Sequence, residues 1–318
     1  MPWRETPAEL ARARAERPFV VSAPAGRLFA VLTPAAPEAP PADLCVVLLT
    51  RPRSHRNRMW VEGARRLAAQ GFHAIRVDYH GNGDSSGDSA PLDPNHPYRD
   101  DVVAVMRHAR QQFGMQRFVV SGSCFDARTA LSAFAEEGGS IAGLVFLAAP
   151  VMELDTVVQV HADTKDWAHL WRALFKPDNW RALVQRGRWK HMATVVDRVS
   201  RRGVGGSSSD LPLSKGFIED FRALVRSRAR ALFLYGLEDA EYASFRVAER
   251  TVFSELPADV RARFEIEVWP GTVHGFLEMT RQRETFARAL GWIEALHPNA
   301  TAARSSSTAG RTGLSVAS

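Results

Sequence analysis

Cys124 stands where a thiol could act as a nucleophile. The run Val119-Val120-Ser121-Gly122-Ser123-Cys124-Phe125-Asp126-Ala127-Arg128 reads as an apolar strand that passes through a small-residue turn into a helix. A reactive side chain at the apex of such a turn is held clear of the sheet, with the first turn of the helix behind it. The bend is sharp and the helix must pass close to the strand, so small residues are needed two before and two after the apex. Centred on Cys124 these are Gly122 and Asp126; centred on Ser123 they are Ser121 and Phe125. Phe125 would not fit, which favours Cys124 over Ser123. A lone cysteine is more often a small buried hydrophobe, so the weight rests on what accompanies it.

Two further groups follow downstream. Arg230-Ala231-Leu232-Phe233-Leu234-Tyr235-Gly236 reads as a buried strand, and Leu237-Glu238-Asp239 follows at its carboxyl end, where a loop can present a carboxylate. Phe264-Glu265-Ile266-Glu267-Val268-Trp269 alternates as a strand and leads into Pro270-Gly271-Thr272-Val273-His274-Gly275-Phe276, placing His274 in a loop beside glycine. A thiol is mostly protonated at neutral pH. A neighbouring imidazole must accept its proton or hold it as a thiolate-imidazolium pair.

With these segments the chain resembles the α/β-hydrolase superfamily over roughly residues 18 to 297. That family orders its triad nucleophile, acid, histidine, which the resemblance maps onto Cys124, Asp239 and His274. A fourth segment, Asp78-Tyr79-His80-Gly81-Asn82-Gly83-Asp84-Ser85-Ser86-Gly87, is similar to the D-x-x-G-x-G-x-S-x-G loop of many such hydrolases. The cysteine gives it a dienelactone-hydrolase-like or thioesterase- and acyltransferase-like character. The resemblance implies that Asp239 fixes the imidazole tautomer. It also implies an oxyanion hole built from the N–H after the nucleophile, that of Phe125, and a second N–H from the loop after an early strand. That second donor falls within Thr50-Arg51-Pro52-Arg53. Pro52 has no N–H, which leaves Arg51 or Arg53. The chain departs from the family at Asp126, where glycine is usual. A carboxylate there suits the helix N-terminus and opposes a thiolate by repulsion, and Arg51, Arg53 and Arg128 are candidates to neutralise it.

The elements that must position these residues alternate along the chain. Phe19-Val20-Val21 and Leu28 to Leu32 flank a turn at Gly26 and suggest an opening hairpin, and Pro34 to Pro41 is a connecting loop. Leu44-Cys45-Val46-Val47-Leu48-Leu49 is continuously apolar, as a central parallel strand covered on both faces should be. A helix over Met59 to Gln70, a strand over Phe72 to Val77, a helix over Tyr98 to Phe113 and a strand over Ala142 to Ala149 follow. The predicted fold is therefore α/β, with a mostly parallel central sheet flanked by helices. All the proposed triad residues fall at the carboxyl ends of its strands, where such sheets bind ligands. The core is assigned to residues 1–150 and 229–297. Residues 151–228 show no strand-like run and hold half of the eight tryptophans, which predicts an inserted helical cap. Within it Trp171 and Trp180, and at the strand ends His55 and His80, are candidate substrate contacts; tryptophans facing a pocket imply a bulky apolar or ring-containing acyl group. Residues 298–318 are too polar to bury and are predicted to be a disordered tail.

Composition limits the partners. Two cysteines do not make a disulfide framework, and a reducing compartment would preserve a catalytic thiol. The N-terminal residues lack the apolar core of a signal peptide and no run reaches membrane-span length, so a cytoplasmic location without membrane association is expected. The formal charge of +6 comes from arginines scattered over helices, which fits a solvated basic surface and excludes a nucleic-acid-binding block. No cofactor and no metal are expected. The expected partner is a small-molecule acyl substrate, free or carrier-protein-bound. Three functions stay open: hydrolysis of an ester or thioester through an acyl-cysteine, acyl transfer from a carrier in a biosynthetic pathway, and non-catalytic binding by a degenerate site.

Overall fold

The computed structural model describes residues 15–39, 43–89, 97–152, 213–274 and 278–297. Eight strands form one sheet: β1 (Arg17–Ala23), β2 (Gly26–Thr33), β3 (Leu44–Leu49), β4 (His73–Val77), β5 (Arg117–Ser123), β6 (Ile141–Leu147), β7 (Arg230–Gly236) and β8 (Phe264–Trp269). Their spatial order is β1-β2-β4-β3-β5-β6-β7-β8. β2 runs antiparallel to both neighbours, and every pairing from β4 to β8 is parallel. The hairpin at Gly26 and the βα alternation read from the sequence are both present.

The continuous apolar runs are explained by coverage on both faces. In β3, Cys45, Val47 and Leu49 enter one buried cluster, while Leu44, Val46 and Leu48 enter another on the opposite face. Alternate side chains of a strand point to opposite faces, so a strand with helices on both sides has no polar position. The first layer is supplied by α2 (Arg99–Phe113), α3 (Phe125–Glu137), α4 (Lys215–Arg226) and α5 (Ala240–Ala248). The second is supplied by α1 (Met59–Ala69) and α6 (Met279–Ala295), through Trp60, Leu67, Phe286 and Trp292. Truncating a fully buried residue such as Phe233 to alanine should cost about 3–5 kcal/mol.

One boundary differs from the sequence reading. The stretch 151–228 was expected to be cap, yet α4 inside it packs on α3 as part of the core. Its Phe217, Phe221 and Leu224 are buried, and Ser214 caps it by accepting the Phe217 N–H at 3.3 Å. An amphipathic helix whose apolar face finds the sheet layer is core whatever precedes it. The remainder of the expected cap, with Trp171 and Trp180, lies outside the described residues, as does the expected tail. Among the described residues no helix is long and apolar enough to cross a membrane.

Candidate active site

Cys124 sits between the last residue of β5 and the first of α3, with φ 52° and ψ −122°. That is a sparsely populated conformation for a residue with a Cβ and must be held by its surroundings. The Cys124 N–H donates to the Leu147 carbonyl at 2.8 Å, and the Cys124 carbonyl accepts from Ala127 N–H at 3.0 Å. Gly122 supplies the close approach: a Cβ there would stand 2.3 Å from the Asp126 carbonyl oxygen. Ser123 belongs to the strand and is buried. The bend is thus at the thiol and not at the neighbouring hydroxyl, as the spacing argument requires.

The carbonyl end of β8 delivers His274 to the thiol. The Cys124 sulfur, an imidazole nitrogen and a carboxylate oxygen of Glu241 lie within 4.8 Å of one another. The carboxylate on the histidine ring is therefore Glu241, whose Oε1 is 2.8 Å from His274 Nδ1, and not Asp239. Asp239 is buried and faces backbone: Oδ2 accepts the Gly236 N–H at 2.6 Å, and Oδ1 accepts the Val273 and His274 N–H groups at 3.1 and 2.9 Å. It ties the loop after β7 to the loop that carries the histidine. Burial pushes the Asp239 carboxyl up while these N–H donors pull it down, with a net rise. Glu241, on the first turn of α5 and buried, has the extra methylene that lets a helix residue reach the ring.

Burial disfavours a charged His274, but hydrogen bonds and attraction to Cys124 and Glu241 outweigh it and lift its pKa to about 11. A histidine between a thiol and a carboxylate is held as imidazolium, the form that stabilises a thiolate.

In the loop after β3 the two candidate oxyanion donors differ. Arg53 N–H donates to Asp78 Oδ1 at 2.8 Å, and its guanidinium is held by Asp78 and, at 2.8 Å, by Asp84. Arg53 is thus committed to the glycine-rich loop, where Gly83 leaves room for the Asp78 carboxylate and Ser85 donates to the Asp78 carbonyl at 2.6 Å. Of the two candidates, Arg51 remains. Its side chain lies over the Phe125 ring, 4.7 Å from the centroid, with Nε 3.5 Å from Asp126 Oδ1. Arg51, among the three arginines considered, is therefore the partner of Asp126. Burial raises the Asp126 carboxyl to about 6 against the pull of Arg51 and the Tyr79 hydroxyl.

The loop histidines differ in their ties. His80 donates its N–H to Asp101 Oδ2 at 2.8 Å, its Nδ1 is 2.9 Å from the same oxygen, and its ring packs on Tyr98. His55 is half-buried and edge-on to Trp60 at 5.7 Å. Glu241 is the residue the sequence reading missed. A third carboxylate in Glu238-Asp239-Ala240-Glu241, placed on the first turn of a helix, was the available signal.

Comparison with known proteins agrees with the fold. A family model described as "Serine aminopeptidase, S33" matches residues 40–226. No curated protein sequence matches the chain. Among solved structures, an esterase from Pyrococcus furiosus is similar at 14% identity, covering 93% of this chain and 97% of its own, with a TM-score of 0.58. Proline iminopeptidase from Mycobacterium smegmatis is similar at 18% identity, covering 90% and 100%, with a TM-score of 0.57. A thermostable carboxyl esterase from Bacillus coagulans is similar at 10% identity, covering 89% and 99%, with a TM-score of 0.55.

Proposed function

Since the chain belongs to the S33 serine aminopeptidase family of α/β hydrolases and is an α/β-fold hydrolase, we propose that it cleaves an ester or thioester through an acyl-cysteine on Cys124. The observation that carries the reading is the thiol at a positive-φ apex, beside an imidazole that is itself seated on a buried carboxylate.

The chemistry follows from that arrangement. The Cys124 sulfur adds to the acyl carbonyl, and the carbonyl oxygen becomes an oxyanion facing the N–H groups of Phe125 and Arg51. The first of these is at a helix N-terminus, where N–H groups have no intrahelical partner. His274 then gives its proton to the departing alkoxide or thiolate, leaving the acyl group on sulfur. Neutral His274 next takes a proton from water, whose oxygen adds to the thioester carbonyl. Collapse releases the acid and restores the thiolate-imidazolium pair. Glu241 holds the imidazole by Nδ1 throughout, the part a triad carboxylate plays.

Asp126 and Arg51 set this site apart from a plain serine-hydrolase elbow. A guanidinium on the ring of Phe125 packs the side chain that follows the nucleophile and so steadies the donor N–H. The substrate class favoured is an acyl ester or thioester, the latter free or on a carrier, because a thiolate exchanges readily with thioesters.

Steady-state hydrolysis of short aryl esters and acyl thioesters by wild type, Cys124→Ala and His274→Ala tests the reading. Wild-type turnover with a loss of at least about a thousandfold in both variants is expected. Turnover by Cys124→Ala at the wild-type rate would remove the cysteine from the mechanism.

A further inference from the structure

We propose that the Cys124-Glu241-His274 constellation is also a binding site for a soft divalent cation such as Zn2+, which inhibits the enzyme reversibly by occupying the groups that perform catalysis. The inference uses the same three residues as the proposed mechanism, but it is tested by readouts that need no turnover.

A thiolate, an imidazole and a carboxylate are the three donor types that zinc takes from proteins. Here one atom of each lies within 4.8 Å of the other two. Zinc bonds of about 2.3 Å to sulfur and about 2.0–2.2 Å to nitrogen and oxygen place tetrahedral ligand atoms roughly 3.3–3.7 Å apart. The three groups thus need to close by about an ångström. Glu241 is fully buried on a helix, whereas the His274 side chain is 35% exposed on a loop, so the histidine is the group that moves. Cys124 is half-buried, and a water would complete the tetrahedron. Three protein ligands and one open position is the coordination that zinc adopts at accessible sites.

The atoms balance simply. The ion forms bonds to the Cys124 sulfur, an imidazole nitrogen and a Glu241 oxygen. Each group binds in its deprotonated form, any proton it carried passes to solvent, and nothing is oxidised or reduced. Both the sulfur lone pair and the ring nitrogen needed for acylation are then engaged. A serine in place of Cys124 would not make this site, because a hydroxyl is a poor ligand for a soft cation. The metal sensitivity is a property of the thiol at the elbow and not of the fold.

Zn2+ is titrated into the purified full chain in competition with a chromogenic zinc chelator, and iodoacetamide labelling of Cys124 is followed by peptide mass spectrometry. One ion per chain is expected, with labelling slowed at least tenfold by zinc, restored by EDTA and unaffected by Mg2+. Cys124→Ser and Glu241→Gln should each lower zinc affinity at least tenfold. Cys124→Ser preserves side-chain size at the elbow, so it stays informative if Glu241→Gln fails to fold. Unchanged affinity in Cys124→Ser, or labelling that zinc does not slow, would overturn the proposal. A chain that binds zinc in this way but captures no acyl group would refute the hydrolytic reading and leave the metal site standing; acyl capture without zinc binding would do the reverse.

Discussion

Two carboxylates separated by one residue perform different tasks, and their surroundings decide which. Asp239 accepts three backbone N–H groups, whereas Glu241 is on the imidazole. Glu241→Gln should lower the acylation rate by about a hundredfold or more, because an amide cannot stabilise the imidazolium. Asp239→Asn should instead lower stability by about 1–3 kcal/mol through weakened hydrogen bonds to backbone donors, as read by urea denaturation. The reverse pattern would restore Asp239 as the partner of the ring. The pKa of His274, raised to about 11 by Cys124 and Glu241, gives a second expectation at this scale. A raised value means that the protonated form is bound more tightly in the folded protein than in the unfolded chain. The resulting stabilisation is complete below the ordinary histidine range near about 6.5 and is lost as pH rises through about 11. The His274 ring resonances in NMR should therefore show imidazolium through pH 8, and Cys124→Ala should move the titration to lower pH. A wild-type ring that is neutral at pH 8 would contradict the ion-pair account.

The strand-turn-helix unit from β5 to α3 is the element on which the site depends, and it was legible in advance. Spacing alone separated Cys124 from Ser123, because the requirement for small flanking residues is steric and local. Gly122 carries that requirement: with 2.3 Å between a would-be Cβ and the Asp126 carbonyl, Gly122→Ala should destabilise the protein by about 2 kcal/mol or more and abolish activity in whatever folds. Wild-type stability and turnover in that variant would show that the helix does not approach the strand as described. The acid was less legible. The motif points to the loop residue Asp239, but α5 begins so soon after β7 that a glutamate on its first turn comes within reach. That contact depends on side-chain length and helix start, which spacing does not encode. The oxyanion loop was half legible: proline excluded Pro52, but the engagement of Arg53 by Asp78 is a contact across 25 residues of chain and had no local signal.

At the scale of the whole molecule, the parallel order β3-β5-β6-β7-β8 aligns the carboxyl ends of strands far apart in the chain. The elbow after β5, the carboxylate after β7 and the histidine after β8 meet there. That convergence was visible in the sequence because continuous apolar runs alternating with amphipathic segments leave few other ways to bury both faces of each strand. The extent of the core was less visible: α4 looks helical in sequence wherever it packs, and only its burial against α3 makes it core. The account's central claim is that this convergence turns Cys124 into an acyl acceptor. Intact-mass spectrometry of the full chain, quenched early after mixing with a panel of aryl esters and acyl thioesters, measures this directly. The account predicts a mass increase equal to one acyl group, located on Cys124 by peptide mapping, absent in Cys124→Ala and strongly reduced in His274→Ala. An acyl adduct on any other residue, or turnover with no Cys124 adduct even when the reaction is quenched before steady state, would contradict it.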